Sequence, residues 1–261
     1  MTYSFLTVDH REKGVSWVTI NHPPVNAVGN ELMEELTRVA NELKENDAVR
    51  VVVLTSAHPK IFLAGADLKG MMQPDEASLE NPIEAAATEM QTCFNQFSEM
   101  PKPVIAAING HALGGGCELA LACDFRLMSK GTIGLTEVSL GIIPGAGGTQ
   151  RMTEILGRAK ALENIFLAKK LTPAQAEAED LITKAVADLE EETTEFAEKL
   201  ALGAVFAMGQ AKVAINASEL PLEKGLKVEA KAFSKTFESE EPGIGLAAFF
   251  QKETPKFYSG E

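Results

Sequence analysis

The sequence predicts an α/β protein: a mostly parallel sheet built by strand–helix alternation, then a C-terminal third that is nearly all helix. Three observations carry this. Two runs, Val49–Ser56 and Pro103–Gly110, are apolar almost throughout, as strands buried on both faces must be. Helical periodicity stands before and between them, so the order strand, helix, strand, helix, strand requires crossover connections and parallel pairing. After about residue 145 the alternation stops and amphipathic helical patterns with polar links take over.

Taken in order, Ser4–Asp9 and Val15–Ile20 are strand-like and the turn segment HREKG joins them as a hairpin. NHPPVNAVGN breaks both regular patterns with its two prolines and polar residues. In NELMEELTRVANELKEN the apolar residues Leu32, Leu36, Val39 and Leu43 recur at spacings of three and four, with Asn30 as the expected N-cap. The strand Val49–Ser56 follows, then the loop FLAGADLKG at 62–70, a helix near Pro82–Ser98 and the strand Pro103–Gly110. GTQRMTEILGRAKALENIFLAKK, LTPAQAEAEDLI, EETTEFAEKLALGAVFA and PLEKGLKVEAKAFSKTFES all read as amphipathic helices. The acidic run EEETTEFAEK reads as the solvated start of one of them, where the helix dipole favours negative charge.

A chain of 261 residues can bury a sizeable core. Its formal net charge is −13, from 24 basic and 37 acidic residues, which argues against binding nucleic acid or an anionic membrane surface. The densest basic segment, KVEAKAFSK, is interrupted by an acid and apolar residues and fits an amphipathic helix better. Cys93, Cys117 and Cys123 are odd in number and form no metal-ligand cluster. Free thiols in a reducing compartment, and no metal, are expected. The N-terminus MTYSFLTVDHREKG has no signal-peptide pattern. The longest apolar run, Val104 to Cys123, contains Asn109, His111, Glu118 and four glycines, a mixture unsuited to a membrane span. A cytoplasmic protein is expected. His22, His58 and His111 are scattered and read as loop or packing residues, Trp17 as packing in the first sheet, and Cys117 as pointing into the core.

Three segments carry chemistry. In GHALGGGCELALAC, residues 110–123, three consecutive glycines stand where a buried strand gives way to a helix, and Glu118 lies in that helix's first turn. Glycine lets a ligand approach the backbone, and the first amides of a helix have no internal partners and carry the positive end of its dipole. An oxygen gaining negative charge would be stabilised there. FLAGADLKG has a small-residue turn, with backbone N–H groups expected to be free at Ala66. GTIGLTEVSLGIIPGAGGTQRM, residues 131–152, places a second acid, Glu137, among apolar residues and then enters a helix through IPGAGGTQR. Each segment alone also has a structural reading: tight packing for the glycines, an ordinary capped turn at Asp67, a capping or paired acid at Glu137. Two acids held close and partly desolvated are an arrangement suited to acid/base work on water.

Together these segments, with PPVNAV before them and the helical C-terminus after them, resemble the crotonase superfamily and within it the enoyl-CoA hydratases, over nearly the whole chain. The resemblance implies the crotonase (ClpP-like) fold, a spiral of ββα units with a helical C-terminal region. It implies a spiral core domain with the acyl-CoA site over residues 1–195 and a helical trimerisation region over 196–261. It implies an oxyanion hole from the amides of Ala66 and Gly115, and Glu118 and Glu137 as the catalytic acids. Ala64, Gly65, Asp67, Leu68, Lys69, Gly114 and Gly145 are implied as substrate-binding residues. The activity implied is reversible syn addition of water to a trans-2-enoyl-CoA, with Glu118 as base toward water and Glu137 as proton donor. No separate cofactor is implied, because coenzyme A is part of the substrate, and the assembly implied is a homotrimer or homohexamer. Another crotonase-type acyl-CoA reaction such as enoyl-CoA isomerisation is the alternative, with an RNA-binding or non-catalytic crotonase-like protein as the reading from a different class. One departure stands out: Thr136 precedes Glu137 where many relatives have proline. The stretch Met71 to Asn81, bracketed by Gly70, Pro74 and Pro82, is expected to be a mobile cover over the acyl site.

Overall fold

The structure, a computed structural model, describes residues 2–66 and 81–260. The stretch expected to cover the acyl site falls, up to residue 80, outside the described residues.

The hairpin forms as the alternation requires. Strand β1 (Leu6–His10) pairs antiparallel with β2 (Val15–Ile20), Leu6 opposite Ile20, around a 3-10 turn at Glu12–Gly14. The proline-bearing segment is irregular except for a two-residue strand, β3 (Ala27–Val28), which the sequence did not show. Helix α1 (Asn30–Glu45) buries Leu32, Leu36, Val39 and Leu43 as its periodicity requires. Its cap differs from expectation: Gly29 holds the extended conformation at the N-cap, and Asn30 is already the first helical residue.

Next come β4 (Val51–Ser56), β5 (Ile61–Leu63), β6 (Gly65–Ala66), α2 (Pro82–Ser98), β7 (Val104–Ile108) and β8 (His111–Leu113). They lead to α3 (Gly115–Ala122), β9 (Phe125–Met128) and β10 (Ile133–Gly134). The main sheet has the order β1-β2-β4-β7-β9 and ends on the short strand β11 (Lys184–Ala185). From β2 onward every pairing in it is parallel. A second sheet, β10-β8-β5, and the pair β3-β6 bring the loops after the strands together. Alternate residues of the main sheet feed two cores. Val18, Val52, Leu54, Ala106 and Ile108 join α1, α2 and α3 on one face. Val15, Trp17, Val51, Val53, Ile105 and Ala107 join Ala197 and Ala201 on the other. The apolar runs of β4 and β7 are explained by this burial on both sides, and Trp17 packs where expected.

The helical third departs in three places, one of them EETTEFAEKLALGAVFA, whose helix stops at Ala201 and restarts at Val205. GTQRMTEILGRAKALENIFLAKK is broken at Gly157, φ 76° and ψ 158°, into α4 (Gly148–Leu156) and α5 (Arg158–Phe166). LTPAQAEAEDLI is helical only over α6 (Pro173–Ala178), opened by a Thr172–Gln175 capping box. Asp180 then takes φ 64°, Leu181 and Ile182 turn inward, and the chain extends into β11. Helix α7 (Leu189–Ala201) has Asp188 as its N-cap and Glu190, Glu191 and Glu192 in its first turn, the solvated start expected of the acidic run. It runs across the residue 195 boundary and presses Thr193, Ala197 and Ala201 inward.

Helices α8 (Val205–Asn216), α9 (Leu222–Thr236) and α10 (Glu241–Gln251) complete the chain. The last was not read from sequence, because a proline and two glycines in EPGIGLAAFFQ obscure its period. Its Glu241 carboxylate accepts the N–H groups of Phe206 and Ala207 at 2.9 and 2.8 Å, tying α10 to the start of α8. Leu222, Phe233, Phe249 and Phe250 of this region are each at least two-thirds exposed. Among the described residues no helix is long and apolar enough to cross a membrane.

Candidate active site

The three consecutive glycines serve three different contacts. Gly114 sits at the turn from β8 into α3 with φ 55° and ψ −126°, a conformation L side chains rarely adopt. A side chain there would also meet Glu137 Oε1 at 3.2 Å. Gly115 opens α3, so its N–H has no acceptor within the helix. A Cβ on it would stand 3.3 Å from Ala66 N, crowding the neighbouring amide. Gly116 packs backbone against backbone: a Cβ there would lie 2.0 Å from the carbonyl oxygen of Leu63.

Around this turn the structure encloses a cavity of about 130 Å³. Ala64, Gly65, Ala66, Gly114, Gly115, Glu118, Glu137 and Gly145 all line it, so eight residues singled out from sequence on three separate segments meet in one place. Asp67, Leu68 and Lys69 lie outside the described residues. The sequence reading named none of the residues of the apolar walls, Ala86, Ala87 and Met90 from α2 and Leu140, Ile142 and Ile143 beyond Glu137. Small and aliphatic side chains on a helix read as ordinary core, and nothing in the sequence separates them from it. A larger, shallower groove of about 940 Å³ lies between α1 and α2, but its lining is helix-surface side chains such as Glu34, Arg38, Glu42 and Glu89. None of the sequence-predicted site residues lies in it, so size does not identify the chemistry here.

The two acids are held differently. Glu118 is buried, 2% exposed, and its Oε1 accepts the N–H groups of Ala146 and Gly148 at 2.7 and 2.8 Å. Burial pushes its carboxyl above the ordinary carboxylate range, while the two amides and the Arg151 guanidinium pull the other way. Gly148 has no room for a side chain, since a Cβ would stand 2.9 Å from both Glu118 Cγ and Oε1. Glu137 opens a 3-10 turn, Glu137–Leu140. Burial, with the charge of Glu118 adding, pushes its carboxyl up to about 7. Its Oε2 is buried with no hydrogen-bond partner among the described residues. Thr136 takes φ −107°, outside the range a proline ring holds, so this backbone uses the freedom that threonine leaves.

The arrangement therefore combines a carboxylate stabilised by two amides and a carboxyl that holds its proton near neutrality. A helix-opening amide stands beside them. Such a set can remove a proton, deliver a proton and polarise a carbonyl. Cys117 is fully buried, as expected, and burial raises its thiol well above the ordinary range, so it is inert. His58 is a loop residue, its Nδ1 accepting the N–H groups of Lys60 and Ile61 at 3.1 Å.

A spiral of short strands and helices closing on a glycine-lined helix start and two glutamates is the architecture of the crotonase fold. The comparisons agree. The family described as enoyl-CoA hydratase/isomerase matches residues 10–260. A Dictyostelium discoideum protein named "Probable enoyl-CoA hydratase, mitochondrial" is 36% identical over 261 residues, covering 98% of this chain and 92% of its own. The human "Enoyl-CoA hydratase domain-containing protein 2, mitochondrial" is 36% identical over 255 residues, covering 94% and 86%. The crystal structure of an enoyl-CoA hydratase from Bacillus anthracis superposes with a TM-score of 0.87 at 38% identity, covering 99% of this chain and all of that one. The chain belongs to the enoyl-CoA hydratase/isomerase family of the crotonase superfamily.

Proposed function

We propose that the protein is an enoyl-CoA hydratase, adding water reversibly and syn across a trans-2-enoyl-CoA to give a 3-hydroxyacyl-CoA. One observation carries this: both glutamates, Glu118 and Glu137, line the same cavity as Ala66 and Gly115. The thioester oxygen sits against the amides of Ala66 and Gly115, which makes C3 electrophilic and stabilises the enolate. One such donor is worth about 3 kcal/mol of barrier. Glu118, stabilised as an anion by two amides, takes a proton from water as its oxygen bonds to C3. Glu137, whose carboxyl is pushed up to about 7, gives a proton to C2. The apolar wall of Ala86, Ala87, Met90, Ile142 and Ile143 fits an acyl chain. Ala64, Gly65, Gly114 and Gly145 line the substrate's path, and Asp67, Leu68 and Lys69 are assigned to substrate binding on the family resemblance alone. Coenzyme A enters only as part of the substrate, and no metal or separate cofactor takes part.

The exposed Leu222, Phe233, Phe249 and Phe250 support assembly through the C-terminal helices into a homotrimer or homohexamer. The test is loss of the conjugated enoyl-thioester absorbance of crotonyl-CoA, with Glu118→Ala and Glu137→Ala beside the wild type. Rapid loss in the wild type, cut by orders of magnitude in both variants, supports hydration. Interconversion of 3-enoyl and 2-enoyl isomers without hydration overturns it in favour of an isomerase.

A further inference from the structure

Glu118 is fixed by a loop, and that loop is itself held from its far side. Ala146 N–H and Gly148 N–H donate to Glu118, and the carbonyl end of each of these peptide units is bonded as well. In the Gly145–Ala146 peptide, the Gly145 oxygen accepts from Gln91 Nε2 at 2.7 Å. In the Gly147–Gly148 peptide, the Gly147 oxygen accepts from Arg151 N at 2.9 Å. The guanidinium of Arg151 folds back over the same loop. Its Nη1 donates to the Ala146 oxygen at 3.1 Å, and its Nη2 donates to Asn95 Oδ1. A Cβ on Gly147 would stand 2.3 Å from Arg151 Nη1, so the guanidinium lies against a bare Cα. Gln91 and Asn95 are one turn apart on α2, and Ala87, one turn earlier, is the side chain that a Cβ on Gly145 would touch, at 3.7 Å. One face of α2 thus lies along the loop.

We infer that Gln91, Asn95 and Arg151 form a clamp that positions Glu118: Gln91 through the Gly145–Ala146 peptide whose amide holds the carboxylate, and the Arg151 guanidinium, oriented by Asn95, through the adjoining Ala146–Gly147 peptide that links the two donor amides. None of the three is needed as a reacting group. They are positioning residues, and the inference rests on the acid/base role proposed for Glu118. Peptide units bonded at both ends polarise one another, which strengthens the N–H bonds to the carboxylate. The groups acting on Glu118 from its surroundings are Glu137, the Cys117 thiol and Arg151. Arg151 in turn faces Glu154, Glu99 and the Cys123 thiol.

The test compares Arg151→Gln, Arg151→Lys, Asn95→Ala and Gln91→Ala by crotonyl-CoA hydration. It also follows the pH titration of the Glu118 carboxyl by 13C NMR on glutamate-labelled protein, assigned with Glu118→Gln. Arg151→Gln is expected to lower kcat by about tenfold or more with a smaller change in KM, as displaced catalytic groups do. It should also move the Glu118 titration to higher pH, because a neighbouring positive charge is gone. Arg151→Lys keeps the charge without the two-sided fork, so the titration should stay and kcat recover only in part. Asn95→Ala and Gln91→Ala should lower kcat by smaller factors. A Glu118 titration unmoved in Arg151→Gln, or kcat within about twofold of wild type in both α2 variants, overturns the clamp. If Arg151→Gln does not fold, the two α2 variants decide. A wild type that does not hydrate crotonyl-CoA overturns the proposed function, and the Glu118 titration in Gln91→Ala, where a bond to the loop is lost and no charge is, still decides the clamp: a shift to higher pH supports it and an unmoved titration overturns it.

Discussion

Gly116→Ala is the sharpest perturbation the structure offers. A Cβ at that position would lie 2.0 Å from the Leu63 oxygen and 2.8 Å from its carbonyl carbon, where ordinary contact begins at 3.4 Å. Helix α3 or strand β5 must therefore retreat by about 1.4 Å. Neither is free to do so. Leu63 is fully buried, β5 is paired with β8, and α3 is buried along its whole length. The obstacle is backbone, so no rotamer change relieves it. Overpacking of a core costs about 1–3 kcal/mol, and a backbone collision belongs at the upper end. For a chain of this size ~3 kcal/mol corresponds to a fall in Tm of roughly 6–12 °C. Leu63 leads directly into Ala64, Gly65 and Ala66, so the shift also moves an amide proposed for the oxyanion hole. Hydration of crotonyl-CoA should therefore fall at 25 °C even while the variant is folded. Gly145→Ala is the control, because its Cβ meets only Ala87 Cβ at 3.7 Å and its φ is negative. Its Tm should stay within about 2 °C of wild type. Thermal denaturation by circular dichroism, run beside the hydration assay, checks both. A Gly116→Ala protein melting with the wild type and fully active would refute the reasoning.

Glu118→Gln should cut kcat by about 10²- to 10⁴-fold while melting no lower than wild type, since it removes a buried charge and keeps an oxygen for the two amides; paired kinetics and melts check this. Glu137 in the fold holds its proton more tightly than an ordinary glutamate, with its carboxyl pushed from 4.5 up to about 7. Its protonated form therefore favours the fold at low pH, and that contribution is lost as pH rises through the folded value. The Tm of Glu137→Gln relative to wild type should rise between pH 4.5 and 7 and level off above, and a flat difference across that range would contradict it. Leu222→Glu combined with Phe249→Glu should leave the fold intact and reduce the sedimenting mass to that of a single chain.

Much of this was legible in the sequence for identifiable physical reasons. Strands β4 and β7 are apolar because both their faces are buried, so they stand out without any partner being known. Helix α1 shows its spacing because one face is solvated. The glycine turn and Glu118 stand out because glycine and an acid are unwelcome in a core unless something requires them. What stayed hidden has equally specific causes. The α4–α5 break rests on one positive φ at Gly157, and the short β11 rests on Asp180 turning the chain. The cavity's apolar walls use residues that any core would use. Gln91 and Asn95 are polar residues on a helix surface, and only the arrival of the 145–148 loop distinguishes them from solvated side chains.

Helix α2 contributes Ala86, Ala87 and Met90 to the cavity wall and Gln91 and Asn95 to the loop that steadies Glu118. The rod that sets how much room a ligand has is also the rod that steadies Glu118. Side-chain exchanges at 86 or 90 can resize the space without touching the other duty. A one-residue insertion ahead of Gln91 is a different kind of change, because it rotates everything after it by about 100°. It would leave the composition of the wall nearly unaltered and unhook the loop. Variation in substrate scope along this lineage is therefore expected to run through swaps on α2, with its length before Gln91 held constant.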